Sequence, residues 1–307
     1  MQIAILGASS QIAKGLIKLF AKKNNCYLKL FVRDQPVFKQ WIELQDIKEN
    51  FSILHFDEFV TNLHVDLIIN CIGVGDPSKL VQLGSTLLET TKTFDDLALN
   101  YLTEHPLTKY IFLSSGAVYG NNFKQPVDTA SPALININDL HHSDWYSIAK
   151  IYAEAKHRSM EKLCIMDIRI FNYISNDMDI ESRFLISDAL RAISKNEILQ
   201  TNSHNIYRDY IGSEDLHQLI MRLTEHSFLN VAVDCFTSQI TDKFSILDNL
   251  KSNFGLKYEL IEAHSELDAG GSRDHYYSLN KKAANYGYTP NFTSLENISM
   301  ASEELLR

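Results

Sequence analysis

The sequence predicts an α/β fold, a doubly wound parallel sheet followed by a smaller C-terminal lobe. Three observations carry this. In the first 120 residues, short apolar runs alternate with longer polar-rich segments, as strands alternating with helices do in parallel sheets. The first run, Gln2–Leu6, ends directly in Gly7, and a helix-period pattern follows it. From about residue 172 the pattern loosens into shorter segments richer in Asn, Ser and Asp. The sheet-bearing part is therefore placed at residues 1–171 and the lobe at 172–307, with some lobe segments returning to the sheet.

Each element has its own justification. After Gly7, the residues Ile12, Leu16, Leu19 and Phe20 recur at helical spacing. Residues 27–32, 51–56 and 65–69 are the second, third and fourth strand candidates. Residues 83–102 carry helix-period apolar positions, and 110–113 form a fifth strand ending at Ser114-Ser115. Ligands of open parallel sheets sit beyond the carboxyl ends of the strands. Gly7, Arg33, Asp57, Asn70 and Ser115 all fall at or just beyond such ends.

Composition excludes several classes. A formal net charge of -9 argues against a nucleic-acid partner, whose binding face should be basic. No apolar run approaches the roughly 18 residues of a membrane helix, and the start lacks the basic lead and long apolar stretch of a secretory signal. Cys26, Cys71, Cys164 and Cys235 are widely separated with no CxxC pair, and read as reduced thiols of a cytoplasmic protein. His141-His142 is the only adjacent histidine pair; it reads as loop, and no metal is expected.

Four motifs carry chemistry. Gly7-Ala8-Ser9-Ser10-Gln11-Ile12-Ala13 places a glycine turn between a strand and a helix. A helix N-terminus offers free N–H groups and a positive dipole end to a pyrophosphate. Gly7, Ser9, Ser10, Gln11 and Ile12 are thus candidate cofactor-binding residues. Ser10 and Ala13 stand where the dinucleotide fingerprint has its second and third glycines, and the Ser10 side chain crowds the site. An ordinary strand-to-helix turn has the same look. Arg33-Asp34 closes the second strand. An acidic side chain there holds the ribose 2′-hydroxyl of NAD, and an arginine favours the 2′-phosphate of NADP. Arg33 follows the apolar run directly, so NADP is the expected cofactor and NAD the alternative; a solvated charge pair is the bland reading. Asp57 could accept a hydrogen bond from an adenine amino group, or cap a helix.

The third motif is Tyr146-Ser147-Ile148-Ala149-Lys150, downstream of Ser114-Ser115. Tyr and Lys at i and i+4 lie on one helix face. A lysine ammonium beside a phenol stabilises phenolate, so the tyrosine can exchange a proton with a substrate hydroxyl or carbonyl. A strand-end serine can hold the same oxygen. Ser115, Tyr146 and Lys150 are the candidate catalytic residues. The fourth is Tyr207-Arg208-Asp209-Tyr210-Ile211. Arg208 could grip a phosphate through its planar fork, or form a structural pair with an Asp.

Together these residues resemble the extended short-chain dehydrogenase/reductase family, in its epimerase/dehydratase group acting on nucleotide sugars, over nearly the whole chain. Phe112-Leu113-Ser114-Ser115-Gly116-Ala117-Val118-Tyr119-Gly120 looks like the family's serine strand with its VYG ending. Arg169-Ile170-Phe171-Asn172 resembles the strand whose asparagine contacts the nucleotide sugar, and Arg208-Asp209-Tyr210-Ile211 the motif whose arginine meets the substrate diphosphate. Arg273 lies where a second diphosphate-binding arginine often sits. The stretch Asn280-Lys281-Lys282-Ala283 with Gly287-Tyr288-Thr289-Pro290 resembles the family's C-terminal Lys-Ala and Gly-aromatic-x-Pro signature. The resemblance implies a Rossmann-type sheet that binds NAD(P), with Lys150 also contacting the cofactor. It further implies a C-terminal substrate-binding lobe using Asn172, Arg208 and Arg273.

The sequence departs from the family in four places. Ser10 and Ala13 replace glycines, and Asp144-Trp145 precede Tyr146 where proline is usual. The Ser115–Tyr146 spacing is longer than usual, and Tyr173-Ile174-Ser175 follows Asn172 instead of Gly-Pro. Among family reactions, the 4,6-dehydratases place an Asp-Glu pair after the catalytic serine or threonine, and GDP-fucose synthases a cysteine at the position of Gly116. This chain has Gly116-Ala117. The resemblance then leaves 4-keto reduction or 4-epimerisation of a nucleotide sugar in carbohydrate biosynthesis, and if Arg33 signals NADP it implies the oxidoreductase performing 4-keto reduction, because reductases consume NADPH while epimerases retain NAD. A 4-epimerase with retained NAD is the alternative, and a non-catalytic dinucleotide-binding sensor or vestigial subunit the rival from another class. The expected partner is a small-molecule substrate, with no membrane partner; a homodimer is the assembly considered.

Overall fold

Strand β1 (Gln2–Leu6) is buried on both faces, and that decides the architecture. Ile3 and Ile5 enter one apolar cluster, Ala4 and Leu6 another. A strand apolar on both sides belongs in the middle of a covered, parallel sheet. In the computed structural model, which describes residues 1–45, 47, 50–73, 82–262 and 273–307 apart from the side chains of 142 and 143, β1 does lie there.

The other strands before the lobe are β2 (Tyr27–Phe31), β3 (Phe51–Leu54), β4 (Leu67–Asn70), β5 (Lys109–Ser115) and β6 (Ile165–Ile170). Short strands β7 (Asn172–Tyr173), β8 (Ile198–Asn202), β9 (Tyr207–Arg208) and β10 (Tyr210–Ile211) follow, before β11 (Asn230–Asp234) returns to the sheet. The sheet order is β3-β2-β1-β4-β5-β6-β11, with every pairing parallel. Helices α1 (Gln11–Ala21), α2 (Gln35–Glu43), α3 (Thr86–Glu104) and α4 (His142–Ser159) cover its two faces. No described helix is long and apolar enough to cross a membrane.

The strand ends differ from expectation by a few residues, for local reasons. The third strand stops at Leu54 because His55 caps a short 3-10 turn, Phe56–Glu58. The histidine pair is not loop: His142 opens α4, and the His141 amide donates to the Asp144 carboxylate at 2.8 Å. All four cysteines are buried and free. Among the described residues no His/Cys/Asp/Glu group could hold a metal ion.

The lobe has a core of its own. Helices α5 (Leu185–Lys195), α7 (Lys243–Phe254) and α8 (Ser294–Leu305) bury Ile186, Leu190, Ile246, Leu250 and Ile298 together. Strands β12 (Thr241–Asp242), β13 (Lys257–Ile261) and β14 (His275–Tyr276) join it through the pairs β8-β13 and β12-β9-β14. Helix α6 (Ser213–Glu225) instead packs on α1, placing Leu216, Leu219 and Ile220 in the sheet core. Close approach there depends on Gly15. A Cβ at that position would lie 2.3 Å from both the Tyr173 and Ser213 hydroxyl oxygens, which bond each other at 2.7 Å. Tyr173, which follows Asn172 where the family has glycine, is thus accommodated by a glycine on the facing helix.

Beneath the sheet lies a charged cluster. His157 on α4 bonds Asp167 of β6 through Nδ1 at 2.7 Å and Asp95 of α3 through Nε2 at 2.8 Å, and all three side chains are almost wholly excluded from solvent. Burial alone would lower the imidazole pKa, but Asp167 and Asp95 outweigh it and push the pKa up to about 9. Because the folded value lies above the unfolded 6.5, this stabilisation is complete below pH 6.5 and is lost as pH rises through about 9. His157→Leu takes the shared cation from two buried carboxylates, leaving Asp167 only Arg158 and Asp95 only the Tyr110 hydroxyl, and is expected to cost about 3–5 kcal/mol near neutral pH. Denaturant titrations at several pH values should show the gap between wild type and variant narrowing toward alkaline pH. A gap that widens would mean the histidine is neutral in the fold.

Candidate active site

The site is built on the carboxyl end of β5. Ser115 is its last residue, and its hydroxyl accepts the Ala117 amide at 3.2 Å, opening the 3-10 turn Gly116–Tyr119. Helix α4 runs alongside. Tyr146, Lys150 and Glu154 follow one another at four-residue intervals and so share the face turned to β5. Lys150 donates to the Leu113 carbonyl at 2.8 Å, and its ammonium stands 4.3 Å from the Phe112 ring centre and 5.7 Å from that of Tyr146. Glu154 accepts the Ser114 hydroxyl at 2.6 Å and the Arg169 fork at 2.6–3.1 Å. The helix is thus locked to strands β5 and β6 within two turns of its tyrosine.

Burial sets the protonation of the pair. Tyr146 is half-buried, and desolvation of its hydroxyl pushes the pKa up to about 12, against the pull of the Ser115 hydroxyl. Lys150 is 2% exposed; burial brings its pKa down to about 8, although Asp95, Glu154 and Asp167 hold it up. At neutral pH the site therefore holds a protonated phenol beside a mostly charged ammonium.

A second phenol stands here that sequence reasoning missed. The Tyr276 hydroxyl is 3.3 Å from Ser115 Oγ, and the Tyr276 ring is buried against Phe123 and Phe171. The two hydroxyls come from residues 161 apart in the chain. No local motif marks Tyr276; the pairing of β14 with β9 and backbone bonds from its neighbours to Phe123 and Val127 bring it in.

The expected cofactor residues divide into free and engaged groups. Gly7 adopts φ +74°, and a Cβ there would sit 2.8 Å from Ile72. The Ser10 hydroxyl is turned onto the Ala13 amide of its own helix at 3.3 Å, which removes the expected crowding. Ser9 is exposed on the turn, and Gln11 and Ile12 begin the helix, where backbone N–H groups lack intrahelical acceptors. The Gln11 side chain donates to Ser175 at 3.4 Å. Arg33 is exposed with no partner among the described residues, whereas the Asp34 carboxylate caps α2 by accepting the Val37 amide at 3.0 Å. Asp57 is exposed and bonded to His55 at 3.0 Å; the helix cap belongs to His55. Asn70 is 1% exposed with both amide ends taken, donating to the Tyr110 hydroxyl at 2.9 Å and accepting the Ile72 amide at 3.0 Å. It shapes the loop beneath Gly7 rather than presenting a free group.

At the lobe end, the Arg208–Asp209 pairing does not form. Arg208 Nη1 donates to the carbonyls of Tyr207 and Arg273 at 2.8 and 2.7 Å. Asp209 accepts from Thr237 and Ser294 instead. Asn172 donates to the Asp209 carbonyl at 3.1 Å, fixing this segment to the sheet edge. Arg273 lies 5.0 Å from the Tyr276 ring centre. Neither Arg208 nor Arg273 has a carboxylate partner among the described residues, and both lie beside Tyr276, which reaches Ser115.

A parallel sheet in this order, a glycine turn before α1 and a Ser/Tyr/Lys set at β5 define a dinucleotide-type α/β enzyme fold. Residues 3–232 match the model of the NAD dependent epimerase/dehydratase family, and the chain belongs to that family. No curated protein matches the sequence. Among solved structures, UDP-glucuronic acid 4-epimerase from Bacillus cereus, in complex with NAD, superposes with a TM-score of 0.77 at 13% identity, covering 100% of both chains. UDP-glucose 4-epimerase from Thermotoga maritima, with UDP-glucose, gives 0.77 at 16% identity over 99% of this chain and 98% of that one. dTDP-glucose 4,6-dehydratase from Bacillus anthracis, in complex with NAD, gives 0.77 at 14% over 99% and 96%. At such identities the likeness is one of fold.

Gly116, where sequence reasoning sought an acid or a cysteine, is enclosed. A Cβ there would lie 2.5 Å from two atoms of the Phe171 ring, and that ring supports Tyr276. Gly116→Ala is accordingly expected to destabilise the fold by about 1–3 kcal/mol, with part of the loss recovered in Gly116→Ala/Phe171→Leu. Denaturant unfolding measures both, and an unchanged midpoint in the single variant would show the ring gives way freely.

Proposed function

We propose that this protein is an NAD(P)-dependent oxidoreductase that reduces the 4-keto group of a nucleotide sugar, with NADP the favoured cofactor. The observation that carries this reading is the convergence of the Ser115 hydroxyl, the Tyr146 phenol and the Lys150 ammonium beside two arginines without carboxylate partners.

The residues present fit a dinucleotide. The Gly7 turn has the positive φ and close approach to Ile72 that only glycine accommodates, the first turn of α1 offers unsatisfied amides, and Arg33 is free just beyond the end of β2. Ser9, Ser10, Gln11 and Ile12 would line the pyrophosphate, Arg33 would meet a 2′-phosphate, and Lys150 would reach the nicotinamide ribose. Asp57 and Asn70 would border the site through backbone and loop shape. When bound, the nicotinamide supplies hydride chemistry.

The chain's own groups handle the oxygen and the proton. Ser115 donates a hydrogen bond to the substrate carbonyl oxygen. Tyr146, protonated at neutral pH, gives that oxygen its proton. Lys150 carries charge below about pH 8 and lowers the cost of the phenolate left behind. Arg208 and Arg273 grip the diphosphate with charge-assisted hydrogen bonds, and Asn172 holds the lobe segment that carries Arg208. A buried Phe171 ring against Gly116 leaves no room for a further acid or base next to Ser115, which favours chemistry that needs none. The second reading is a 4-epimerase with retained NAD. It draws support from Asp34, exposed beside Arg33 at the same strand end and able to hold a 2′-hydroxyl.

Denaturing the purified protein and identifying the released dinucleotide separates the two. Tightly held NAD⁺ selects the epimerase, and an exchangeable NADP(H) site the reductase. Tyr146→Phe is expected to lower turnover by about 10²–10⁴-fold with the fold intact; unchanged turnover on any substrate the wild type accepts would remove the phenol from the chemistry. Arg33→Ala should weaken NADPH binding more than NADH binding, because only NADPH has a 2′-phosphate to lose. Equal losses for both in calorimetry would assign cofactor choice elsewhere.

A further inference from the structure

Asp144 stands two residues before Tyr146 and is 7% exposed, although it is a carboxylate. Its two oxygens have separate duties. Oδ2 accepts the His141 amide at 2.8 Å and so caps the first turn of α4. Oδ1 accepts Asn121 Nδ2 at 2.5 Å. On its other side, Asn121 Oδ1 accepts Arg273 Nη2 at 2.7 Å. The guanidinium lies beside the packed pair of rings, 5.0 Å from the Tyr276 centre and 5.8 Å from that of Phe123.

We propose that Asp144 and Asn121 are positioning residues that fix the guanidinium of Arg273 in the substrate cleft, Asp144 by dictating which end of the Asn121 amide faces the arginine. The argument is one of donor and acceptor inventory. A side-chain amide can present either its oxygen or its NH₂, and with the NH₂ outward it would repel Arg273. An ionised carboxylate only accepts. Asp144 therefore binds the NH₂ end of Asn121 and leaves the oxygen as the only group that can face Arg273.

The neutral amide between the two charges matters. A carboxylate placed directly on Arg273 would pair with it and compete with any anionic ligand. Here the guanidinium is held by one neutral acceptor and two ring faces, so its charge stays available. Arg208 completes the arrangement by donating to the Arg273 carbonyl at 2.7 Å, which anchors the backbone while Asn121 anchors the tip. The chain thereby links the first turn of the catalytic helix, the segment after Gly120 and the strand bearing Tyr276.

The proposal rests on the reading of Arg273 as a diphosphate-binding residue, and its test separates the two. Binding of UDP, GDP, dTDP and CDP is measured by calorimetry for wild type, Asn121→Ala, Asp144→Asn, Arg273→Ala and the Asn121→Ala/Arg273→Ala double variant, with NADPH and NADH binding as the control for an intact fold. Asn121→Ala is expected to weaken the diphosphate that binds best by roughly tenfold, about 1.4 kcal/mol, and to leave dinucleotide affinity unchanged. The double variant should bind no more weakly than Arg273→Ala alone, since residues acting through one another are not additive. Asp144→Asn, with one oxygen for two donors, should fall in between. Full additivity, or unchanged binding in Asn121→Ala where Arg273→Ala is weakened, overturns the relay. If Arg273→Ala itself binds as wild type, or no diphosphate binds at all, the diphosphate reading fails instead. The relay is then decided by a crystal structure of Asn121→Ala: a guanidinium displaced from the Tyr276 ring supports it, and one left in place overturns it.

Discussion

The fork between Arg169 and Glu154 is the interaction on which the rest of the site depends. Arg169 lies on β6, Glu154 on α4, and the guanidinium also bonds Asp234 of β11 and the Tyr119 hydroxyl. Asp234 in turn accepts the Ser278 hydroxyl at 2.5 Å, which draws in the segment just after Tyr276. One largely buried cation thus ties two strands, the helix with its Tyr146 and Lys150, the turn after Ser115 and the C-terminal strand. Its charge is compensated on two sides by carboxylates, the condition under which a buried ion is tolerated. Removing Arg169 would leave Glu154 and Asp234 without their shared cation where the sheet, the helix and the lobe meet.

Two glycine–ring contacts give the departures from the family a physical account. Tyr173 fills the space where relatives have glycine, and Gly15 on α1 vacates the space it needs. The Phe171 ring packs against Gly116, so the position after Ser115 is closed by a ring. Ser10 behaves similarly. It cannot copy a glycine, but its hydroxyl folds back onto the helix it precedes. In each case the altered residue and its neighbour form a matched pair, and close packing of the interior is preserved.

Most of the sheet was legible because its signal is local. Apolar runs bounded by Gly7, by Arg33 and by Ser115 mark strands whatever the rest of the chain does, and Tyr146 and Lys150 share a face through helix geometry alone. The expected ends slipped where a side chain decided them, as His55 does after β3 and as Asp144 does at the start of α4. Asn70 and Asn172 show the limit of reading by position. Both lie where a ligand residue is expected; both amide ends of Asn70 are engaged by Tyr110 and Ile72, whereas Asn172 uses only its NH₂, on the Asp209 carbonyl. Tyr276, Asn121 and the His157 cluster could not be found from sequence, because each depends on contacts between segments far apart in the chain. The Arg208-Asp209 dipeptide invites a pair that the structure breaks, because Arg208 turns to the Tyr207 and Arg273 carbonyls while Asp209, in the break between β9 and β10, turns to Thr237 and Ser294.

The last strand of the central sheet, β11, enters only after the chain has left the sheet, built part of the lobe and come back. A ribosome releasing this chain must therefore deliver some sixty further residues after β6 before the edge of that strand is covered. Until then, β6 presents an unpaired apolar edge, the kind of surface on which nascent chains associate wrongly. Pairings between distant segments also form slowly. Maturation of this protein should thus be limited by a late closing event rather than by formation of its first strands, and a truncated chain ending before β11 would be an aggregation hazard rather than a minimal nucleotide-binding domain.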